Sequence, residues 1–389
     1  MFLIDGPYVS SYLKETLQAL QIPVVKTAAA KSYLADYQIN YLTEEEALSL
    51  LSCVPQTQLY MNSENGLDWL YQKLPENNLA RTSRKVKDKV RFREILAEIH
   101  PEYFFQGHTR SELSSINPQE LPFPLILKPS VGFFSLGVHS VENVEQWEQV
   151  LQELDGVIKT SENLYPTGVL DNSSFVLESV IPGEEFAIDC YYDAFGKVVM
   201  LNMMKHLFAS EADVNDRVYI TSAELIREFR TPVEHYLNLL GDCFELKDFP
   251  AHIELRIDKN GTAMAIEINP LRFGGWCSTA DLARYAWDMN LYEILDQKTR
   301  PDWDMLVQRS PEKVYALIVL NNSTGTPGRD IISFNYETLL ETVQTPLELR
   351  KTDFKNFPVF GFLMCSVPMD NLDELYQLLH SDLKEFISS

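Results

Sequence analysis

The sequence lacks the features that mark membrane, secreted and nucleic-acid-binding proteins. No apolar run approaches the roughly 18–20 residues that a spanning helix needs. The N-terminal segment MFLIDGPYVS has neither the basic region nor the cleavage pattern of a signal peptide. The formal net charge is −23, with no basic stripe to offset it, so the chain would repel nucleic acid and anionic membranes. We therefore expect a cytoplasmic globular protein whose partners are small molecules.

Cysteine is scarce, and the two most familiar nucleotide-binding motifs are missing. The five cysteines stand far apart without a CxxC pair, which indicates reduced, mostly buried thiols. The first predicted strand leads into Asp5-Gly6-Pro7 and not into GxGxxG, and no GxxxxGK[ST] phosphate loop is present. In so acidic a chain, any phosphate site must be built locally from a few lysines and backbone amides.

The pattern that is present predicts an α/β protein of three parts. A chain of 389 residues is long enough for two or three domains. Strands alternate with helices over residues 1–80, which predicts a small domain built on a parallel sheet. Residues 81–305 are predicted to form the main domain, with 106–120 as a polar connector inside it. Residues 306–389 are predicted to form a small separate α/β unit.

Residues 251–276 carry the most informative pattern. Two β-rich runs flank Asn260-Gly261, the strongest short-range signal for a hairpin. If these two residues form the turn, Glu254 lies directly opposite Glu267, and Asn269 shares their face. Like charges opposite each other destabilise a sheet, and a cation between them removes that cost. Two carboxylates and an amide oxygen are ligands of the kind that Mg²⁺ takes together with substrate phosphates.

Two basic features precede this hairpin. Residues 81–96 form a basic segment that, on its own, is typical of a solvated helical face. Lys128 ends an apolar strand and is followed by a small loop over 130–137 with glycines at 132 and 137. Glycines let backbone N–H groups approach phosphate oxygens closely, and a lysine supplies a point charge. Alone, this loop is more typical of an ordinary hairpin, but the acidic hairpin downstream favours a phosphate-binding lid.

In their order and spacing, these features resemble the ATP-grasp superfamily of ATP-dependent carboxylate–amine and carboxylate–thiol ligases. The resemblance rests on the lysine strand, the Gly/Ser loop, ESVI from Glu178, GEEF from Gly183 and the acidic hairpin, and it spans residues 85–300. It implies an α/β (α+β) protein with an ATP-grasp fold, a preceding Rossmann-like domain and a small C-terminal α/β domain. It also implies ATP and Mg²⁺ as cofactors, Mn²⁺ as an alternative metal and, as is common in the family, a homodimer.

The resemblance also implies roles for individual residues around ATP. Lysines of the family contact the phosphates or the adenine edge, a hinge backbone pairs with adenine, and an acid binds the ribose hydroxyls. The positions that correspond to this nucleotide site are Lys89, Lys128, Ser135, Glu178, Ser179, Ile181 and Glu185. Lys87 remains an alternative to Lys89, and Glu184 an alternative to Glu185.

By the same resemblance, Glu254, Glu267 and Asn269 take the metal-ligand positions. Arg272 takes the position of the arginine that stabilises the acyl phosphate and the tetrahedral intermediate. It lies five residues after Glu267, where the common family pattern has four. The glycines that follow it can expose backbone amides to a substrate, and Trp276 can present an aromatic wall.

The predicted function is that of an ATP-dependent ligase. It would form an acyl phosphate from a carboxylate and transfer the acyl group to an amine, with amino-acid-like substrates. The alternatives are an ATP-grasp carboxylase or kinase, and a non-catalytic ATP-binding regulator. The joint presence of the three metal-ligand positions and Arg272 speaks against a regulator, because ATP sensing does not need an arginine for an acyl phosphate.

Overall fold

A computed structural model describes residues 1–54, 56–131, 137–161, 171–210 and 217–388 of the chain. Its α-helices are α1 (Ser11–Leu20), α2 (Ala28–Tyr33), α3 (Glu44–Cys53), α4 (Gly66–Lys73), α5 (Asn78–Lys87), α6 (Lys89–Leu96), α7 (Arg110–Leu113), α8 (Val144–Ser161), α9 (Ala223–Phe244), α10 (Ser278–Trp287), α11 (Leu291–Gln297), α12 (Trp303–Arg309), α13 (Tyr336–Glu341) and α14 (Asp373–His380). Its strands are β1 (Phe2–Leu3), β2 (Val24–Val25), β3 (Tyr41–Leu42), β4 (Tyr60–Met61), β5 (Phe105–Thr109), β6 (Leu125–Val131), β7 (His139–Val141), β8 (Asp171–Ser179), β9 (Glu184–Tyr192), β10 (Val198–Leu207), β11 (Val218–Thr221), β12 (Phe249–Ile257), β13 (Ala263–Pro270), β14 (Lys313–Asn321), β15 (Ser333–Phe334), β16 (Pro346–Lys351), β17 (Val359–Pro368) and β18 (Ile387–Ser388).

The N-terminal part is built on a parallel sheet, as the alternation of strands and helices predicts. The strand order is β3-β2-β1-β4, and β1 pairs in parallel with both β2 and β4. Ser10 caps α1, since its hydroxyl accepts the Leu13 N–H, and Leu13 and Leu17 are fully buried. At the far end of β4, the Met61 N–H donates to the Leu271 carbonyl at 2.7 Å. The N-terminal part therefore touches the segment that follows the acidic hairpin.

A second, antiparallel sheet has the order β5-β8-β6-β7 and packs with α8 around a small core that includes Trp147 and Phe175. The prediction of a polar connector over 106–120 is wrong, because this segment contains most of β5 and all of α7. The strand β5 lies at the sheet edge and leaves most of its side chains exposed or half-buried. Its polar sequence reflects this edge position and not the absence of regular structure.

The largest sheet has eight strands in the order β13-β12-β9-β10-β11-β14-β17-β16. Its two halves come from different parts of the chain, and they join where β11 pairs antiparallel with β14, with Val218 opposite Ile318. Three strands of residues 306–389 therefore extend the central sheet, while most of this part packs around a core of its own. The separate C-terminal unit stays a prediction. The pairing of β11 with β14 satisfies backbone groups that would otherwise form two exposed sheet edges.

The basic segment predicted as one helix is broken at Asp88. This residue has an extended backbone (φ −78°, ψ 107°) and ends α5, while its carboxylate accepts the N–H groups of Val90 and Arg91 to cap α6. The Ser130 hydroxyl also donates to Asp88 at 2.5 Å. Lys87 and Lys89 therefore flank the break, and both are buried. The solvated face that the local sequence favours is not formed at these positions.

The N-terminal part and the central sheet share one continuous hydrophobic core. Tyr60 of β4 links them, since its ring lies 4.7 Å from Phe2 and 5.0 Å from Phe273 between centroids. All five cysteines are free thiols. A search of the described helices finds none that is long and apolar enough to cross a membrane.

Candidate active site

The acidic hairpin pairs as predicted where its carboxylates lie. Glu254 faces Glu267, and His252 faces Asn269 across β12 and β13. The Asn269 side-chain Nδ2 donates to Glu267 Oε1 at 3.0 Å and approaches Glu254 Oε1 at 3.5 Å. The predicted opposition of two carboxylates with Asn269 on their face is therefore confirmed. One amide lies within reach of both acids.

The predicted two-residue turn is wrong. The Asp258 N–H donates to the Thr262 carbonyl at 3.0 Å, and the Asp258 carboxylate accepts the N–H groups of both Asn260 and Thr262. Gly261 has a φ of +80°, the left-handed conformation that glycine adopts without a steric penalty. The turn is thus one residue longer than the Asn-Gly signal predicts.

A β-bulge at Ile266 compensates for this longer turn. Leu255 faces Ala265, but Glu254 faces Glu267, so Ile266 is an extra residue on β13. The Ile266 side chain is half-exposed. The two departures cancel, which explains why the predicted pairing of the acids is correct.

Arg93 occupies the back of this bulge. Its guanidinium donates to the carbonyls of Ala265 at 2.6 Å and Ile266 at 3.2 Å, and its Nε donates to Glu178 Oε2 at 2.5 Å. Only 2% of Arg93 is exposed. This arginine satisfies carbonyls that the bulge removes from the ladder and ties the hairpin to β8. Sequence reasoning missed it; the available signal is its i,i+4 spacing from Lys89 on α6.

The lysines assigned by resemblance are placed against these acids. Lys89 Nζ lies 2.9 Å from Glu267 Oε2, and Lys128 Nζ lies 2.8 Å from Glu178 Oε1. Burial would raise the pKa of Glu267, but Lys89 and Lys87 outweigh it and hold that pKa well below its usual range. At Glu178 burial would likewise raise the pKa, but Arg93 and Lys128 lower it to about 2. Both carboxylates are therefore ionised at neutral pH.

The hinge segment lies at the end of β8. The Ser179 N–H donates to the Phe104 carbonyl at 3.0 Å, and the Tyr103 hydroxyl donates to the Ser179 carbonyl at 2.5 Å. The Ile181 carbonyl accepts from Arg256 at 2.9 Å. A carbonyl oxygen has a second lone pair, so these contacts leave acceptor capacity for a bound base.

The register separates the two candidate ribose acids. Glu185 lies opposite Arg256, two residues along β12 from Glu254 and on the same face. It is buried against His206 Nδ1 at 3.0 Å and Arg256 Nε at 3.0 Å. Glu184 belongs to the opposite face and pairs with Lys205. Ser135 and Gly132, which the resemblance places in the lid, lie outside the described residues.

Arg272 is held by a carboxylate of the N-terminal part. Its Nη2 and Nε lie 2.5 Å and 3.1 Å from Glu64 Oε1, and Lys87 Nζ lies 2.5 Å from the other oxygen of Glu64. Burial alone would raise the pKa of Glu64, but Lys87 and Arg272 lower it to about 2. Lys87 is thus engaged away from the hairpin, whereas Lys89 contacts it. Glu64 was not predicted, although the end of a parallel strand is a common position for ligand-binding residues.

The segment after the hairpin, residues 271–277, is here called the glycine loop. Leu271, Trp276 and Cys277 have φ values of 59°, 57° and 58°, a left-handed conformation that is costly for residues other than glycine. A Cβ at Gly274 would lie 2.3 Å from the Thr279 side chain, whereas a Cβ at Gly275 would meet no atom within 4 Å. The loop is therefore packed tightly at Gly274 and open at Gly275.

A row of buried polar residues connects the hairpin acids to this loop. Asn269, His252, Asp189 and Asn202 are neighbours on four adjacent strands. Asp189 Oδ1 lies 2.7 Å from His252 Nδ1 and accepts the Gly274 N–H at 2.9 Å. The sheet thus fixes the start of the loop relative to the carboxylates.

The donor set of the hairpin fits a divalent cation. Among the described residues, no three His, Cys, Asp or Glu side chains are placed to hold a metal, so the hairpin would need a further oxygen. Turning over the Asn269 amide puts its Oδ1 where Nδ2 now lies beside both Glu254 and Glu267. Two carboxylates and an amide oxygen, with phosphate oxygens as the remaining ligands, suit Mg²⁺.

Comparisons with known proteins give a family match and a curated relative. Residues 121–280 match the ATP-grasp domain family. An L-arginine-specific L-amino acid ligase from Bacillus subtilis is 24% identical over 168 residues, which cover 40% of this chain and 36% of that protein.

Two solved structures match over nearly the whole chain. An L-amino acid ligase from Bacillus licheniformis has a TM-score of 0.68 at 17% identity, over 100% of this chain and 97% of its own. An N5-carboxyaminoimidazole ribonucleotide synthetase from Thermotoga maritima has a TM-score of 0.59 at 15% identity, over 100% and 98%. At these identities the likeness shows a common fold.

Proposed function

We propose that this chain, a member of the ATP-grasp superfamily, is an ATP-dependent ligase that activates a carboxylate as an acyl phosphate and transfers the acyl group to an amine. One observation carries the proposal: Arg272 lies two residues beyond the end of the acidic hairpin, where Glu64 holds it at 2.5 Å. A kinase or an ATP sensor needs the acids and the lysines. An arginine beside them suits a second reaction centre that develops negative charge.

We propose amino acids as the substrates. Two of the proteins described above are named as amino acid ligases: the curated relative from Bacillus subtilis and the solved structure from Bacillus licheniformis. The glycine loop supports this choice, since it leaves open space at Gly275, three residues after Arg272, and Trp276 is half-exposed near its end. Free thiols at all five cysteines support a reducing compartment such as the cytoplasm. The homodimer implied by the resemblance stays a prediction for sedimentation analysis.

In the first step, a substrate carboxylate oxygen attacks the γ-phosphorus of ATP, and the bond to the β-phosphate oxygen breaks to release ADP. Lys89 and Lys128 would hold the phosphates, while Glu254, Glu267 and Asn269 would hold Mg²⁺. The bound ion supplies charge neutralisation at the phosphate oxygens. Lys128 can turn from Glu178 to a phosphate because Arg93 remains paired with that acid.

In the second step, the amine nitrogen attacks the acyl carbon, and the bond from that carbon to the phosphate oxygen breaks. The amine loses a proton, and inorganic phosphate leaves. Arg272 would turn from Glu64 toward the oxyanion of the tetrahedral intermediate. A guanidinium fixed there stabilises the negative charge more than water does. Glu64 keeps Lys87 as its partner during this movement.

The proposal is tested by product analysis with pairs of amino acids. ADP, phosphate and a dipeptide formed only when ATP, Mg²⁺ and both amino acids are present would support it. Hydroxylamine in place of the amine should trap the acyl phosphate as a hydroxamate. A phosphorylated product without an amine would indicate a kinase, dependence on bicarbonate a carboxylase, and tight ATP binding without any turnover a regulator; each of these results would overturn the ligase.

A further inference from the structure

Arg350 of β16 reaches out of the C-terminal strands to the glycine loop. Its Nη1 donates to the Trp276 carbonyl at 3.0 Å, its Nη2 to Asp281 Oδ2 at 2.5 Å, and its Nε to Glu348 Oε1 at 2.6 Å. Only 5% of Arg350 and 1% of Asp281 are exposed. One side chain therefore joins the C-terminal strands to the end of the loop and to the first turns of α10.

The contact falls on the strained part of the loop. Trp276 and Cys277 both have left-handed φ values, and such residues persist only where the surroundings over-determine their conformation. Arg350 binds the carbonyl that lies between these two residues. A buried ion pair is a weak source of net stability, but it can select one conformation over others. The Arg350–Asp281 pair is placed to make that selection.

Aromatic side chains from the N-terminal and C-terminal parts complete the contact. The Trp276 indole stacks on Tyr8 at 5.9 Å and 24° between planes, and it meets Phe357 edge-on at 5.1 Å. The Arg350 guanidinium lies 5.6 Å from the centre of the same Tyr8 ring. The end of the glycine loop is thus held from both sides, and Arg350 is the charged residue common to these contacts.

We propose that Arg350 is a positioning residue through which the C-terminal strands hold the glycine loop in the conformation that binds the amino-acid substrates. This inference rests on the proposed function. Among the described residues assigned to ATP, none has a contact with Arg350, and the lysines pair with Glu178 and Glu267. The C-terminal part would therefore govern amino-acid binding and leave nucleotide binding unchanged.

The first test measures the loop itself and does not depend on turnover. In Arg350→Met, we expect amide hydrogen exchange of peptides covering 274–281 to accelerate about tenfold. Peptides covering the hairpin, 251–270, should change less than twofold. Arg329→Met is the matched control, since Arg329 lies in the same part of the chain with 83% of its side chain exposed. Unchanged exchange over 274–281 would overturn the proposal.

The second test separates positioning from a general structural effect. Arg350→Met should raise the KM for an amino-acid substrate about tenfold while the KM for ATP stays within twofold. Arg350→Lys keeps the charge beside Asp281 but loses the planar set of guanidinium donors. This variant should therefore fold even where Arg350→Met does not, and it should show an intermediate KM. Guanidinium ions should partly restore the KM of Arg350→Ala for the amino-acid substrate, and ammonium ions at equal ionic strength should not.

Equal rises in both KM values would overturn the positioning role. A wild-type protein that gives neither dipeptide nor hydroxamate would refute the proposed function, and the hydrogen-exchange result would still decide whether Arg350 holds the loop. The two proposals therefore fail in different measurements.

Discussion

The nucleotide side of the site and the glycine loop lie next to each other but are built differently. On the nucleotide side, the ion pairs of Lys89 with Glu267 and of Arg93 and Lys128 with Glu178 lie within residues 81–305. On the loop side, Arg272 is held by Glu64 of the N-terminal part, and the end of the loop is held from β16. The chemistry common to ATP users is thus carried by one part of the chain, whereas the substrate side is assembled from three.

The charges are also arranged differently on the two sides. On the nucleotide side, one carboxylate serves two cations, as Glu178 serves Arg93 and Lys128. A phosphate can therefore take one cation without leaving the acid unpaired. On the loop side, Glu64 serves Lys87 and Arg272 in the same way. Arg350 shows the reverse arrangement, since this one cation is shared by Asp281 and Glu348. We infer that Lys128 and Arg272 exchange partners during turnover, whereas Arg350 keeps its two carboxylates.

The largest effect is expected on the nucleotide side, from Glu267→Gln. The neutral amide is a poorer ligand for a divalent cation and leaves Lys89 without its charged partner, so kcat should fall by about a thousandfold or more. The fold should persist, because the side chain remains the same size and keeps its place on β13. Steady-state dipeptide formation and thermal unfolding measure the two effects. Glu228→Gln, exposed on α9, is the control, and full activity of Glu267→Gln would refute the metal assignment.

The next effect should appear in stability, from Glu178→Gln. Removing this charge leaves Arg93 and Lys128 buried without a counter-charge, which costs about 3–5 kcal/mol. Glu94→Gln changes an exposed pair with Arg91 and should cost less than about 1 kcal/mol. Chemical denaturation of both variants measures the difference. A loss below 1 kcal/mol in Glu178→Gln would show that the two cations find other partners.

The same residue makes stability depend on pH. The pKa of Glu178 is lowered from an ordinary 4.5 to about 2, so below pH 4.5 the unfolded chain takes up a proton that the folded chain does not. The unfolding free energy should fall as the pH drops from 4.5 through 2. Glu64, with a pKa also lowered to about 2, adds to the slope. Glu178→Gln should therefore show a shallower acid dependence than wild type, and an equal slope would contradict this origin.

On the loop side, Arg272→Lys should reduce kcat by about a hundredfold. Lysine keeps one charge but cannot form the planar, two-pronged contact of a guanidinium. ATP affinity should change little, since Arg272 contacts Glu64 and the Phe273 carbonyl and not the lysines of the nucleotide side. Titration calorimetry with a non-hydrolysable ATP analogue measures affinity beside the kinetics. Arg309→Lys, exposed on α12, is the control; a matching loss of ATP affinity would remove the distinction between the two sides.

The comparison also explains how much the sequence could predict. Local patterns indicate the parallel N-terminal sheet, the acidic hairpin and the pairing of Glu254 with Glu267. That pairing came out correctly because the longer turn and the bulge at Ile266 compensate for each other. The Asn-Gly signal describes only the turn, and nothing local marks a bulge whose carbonyls are satisfied by a distant arginine. Turn chemistry alone therefore cannot show that the predicted turn is one residue too short.

Several buried contacts of the site could not be predicted because they join distant parts of the chain. Arg272 and Glu64 are 208 residues apart, Arg93 and Glu178 are 85 apart, and Arg350 and Asp281 are 69 apart. Each residue is an ordinary charged side chain in its local context, where exposure is the usual outcome. Only the tertiary fold shows that these charges are buried in pairs. The family pattern supplied the nucleotide residues and left Arg93 and Glu64 unassigned.

The smallest effect is expected from one methyl group added to the glycine loop. In Gly275→Ala the new Cβ meets no atom within 4 Å, so stability should change by less than about 0.5 kcal/mol. The KM for an amino-acid substrate should rise a few fold, because the methyl group enters the space that we assign to the substrate, and the KM for ATP should not. Gly261→Ala is the matched control: its Cβ also meets nothing, but a φ of +80° makes alanine cost about 1–2 kcal/mol. Gly261→Ala should therefore lower stability without changing either KM. A Gly275→Ala variant with unaltered kinetics would show that the open space at Gly275 is not where the substrate binds.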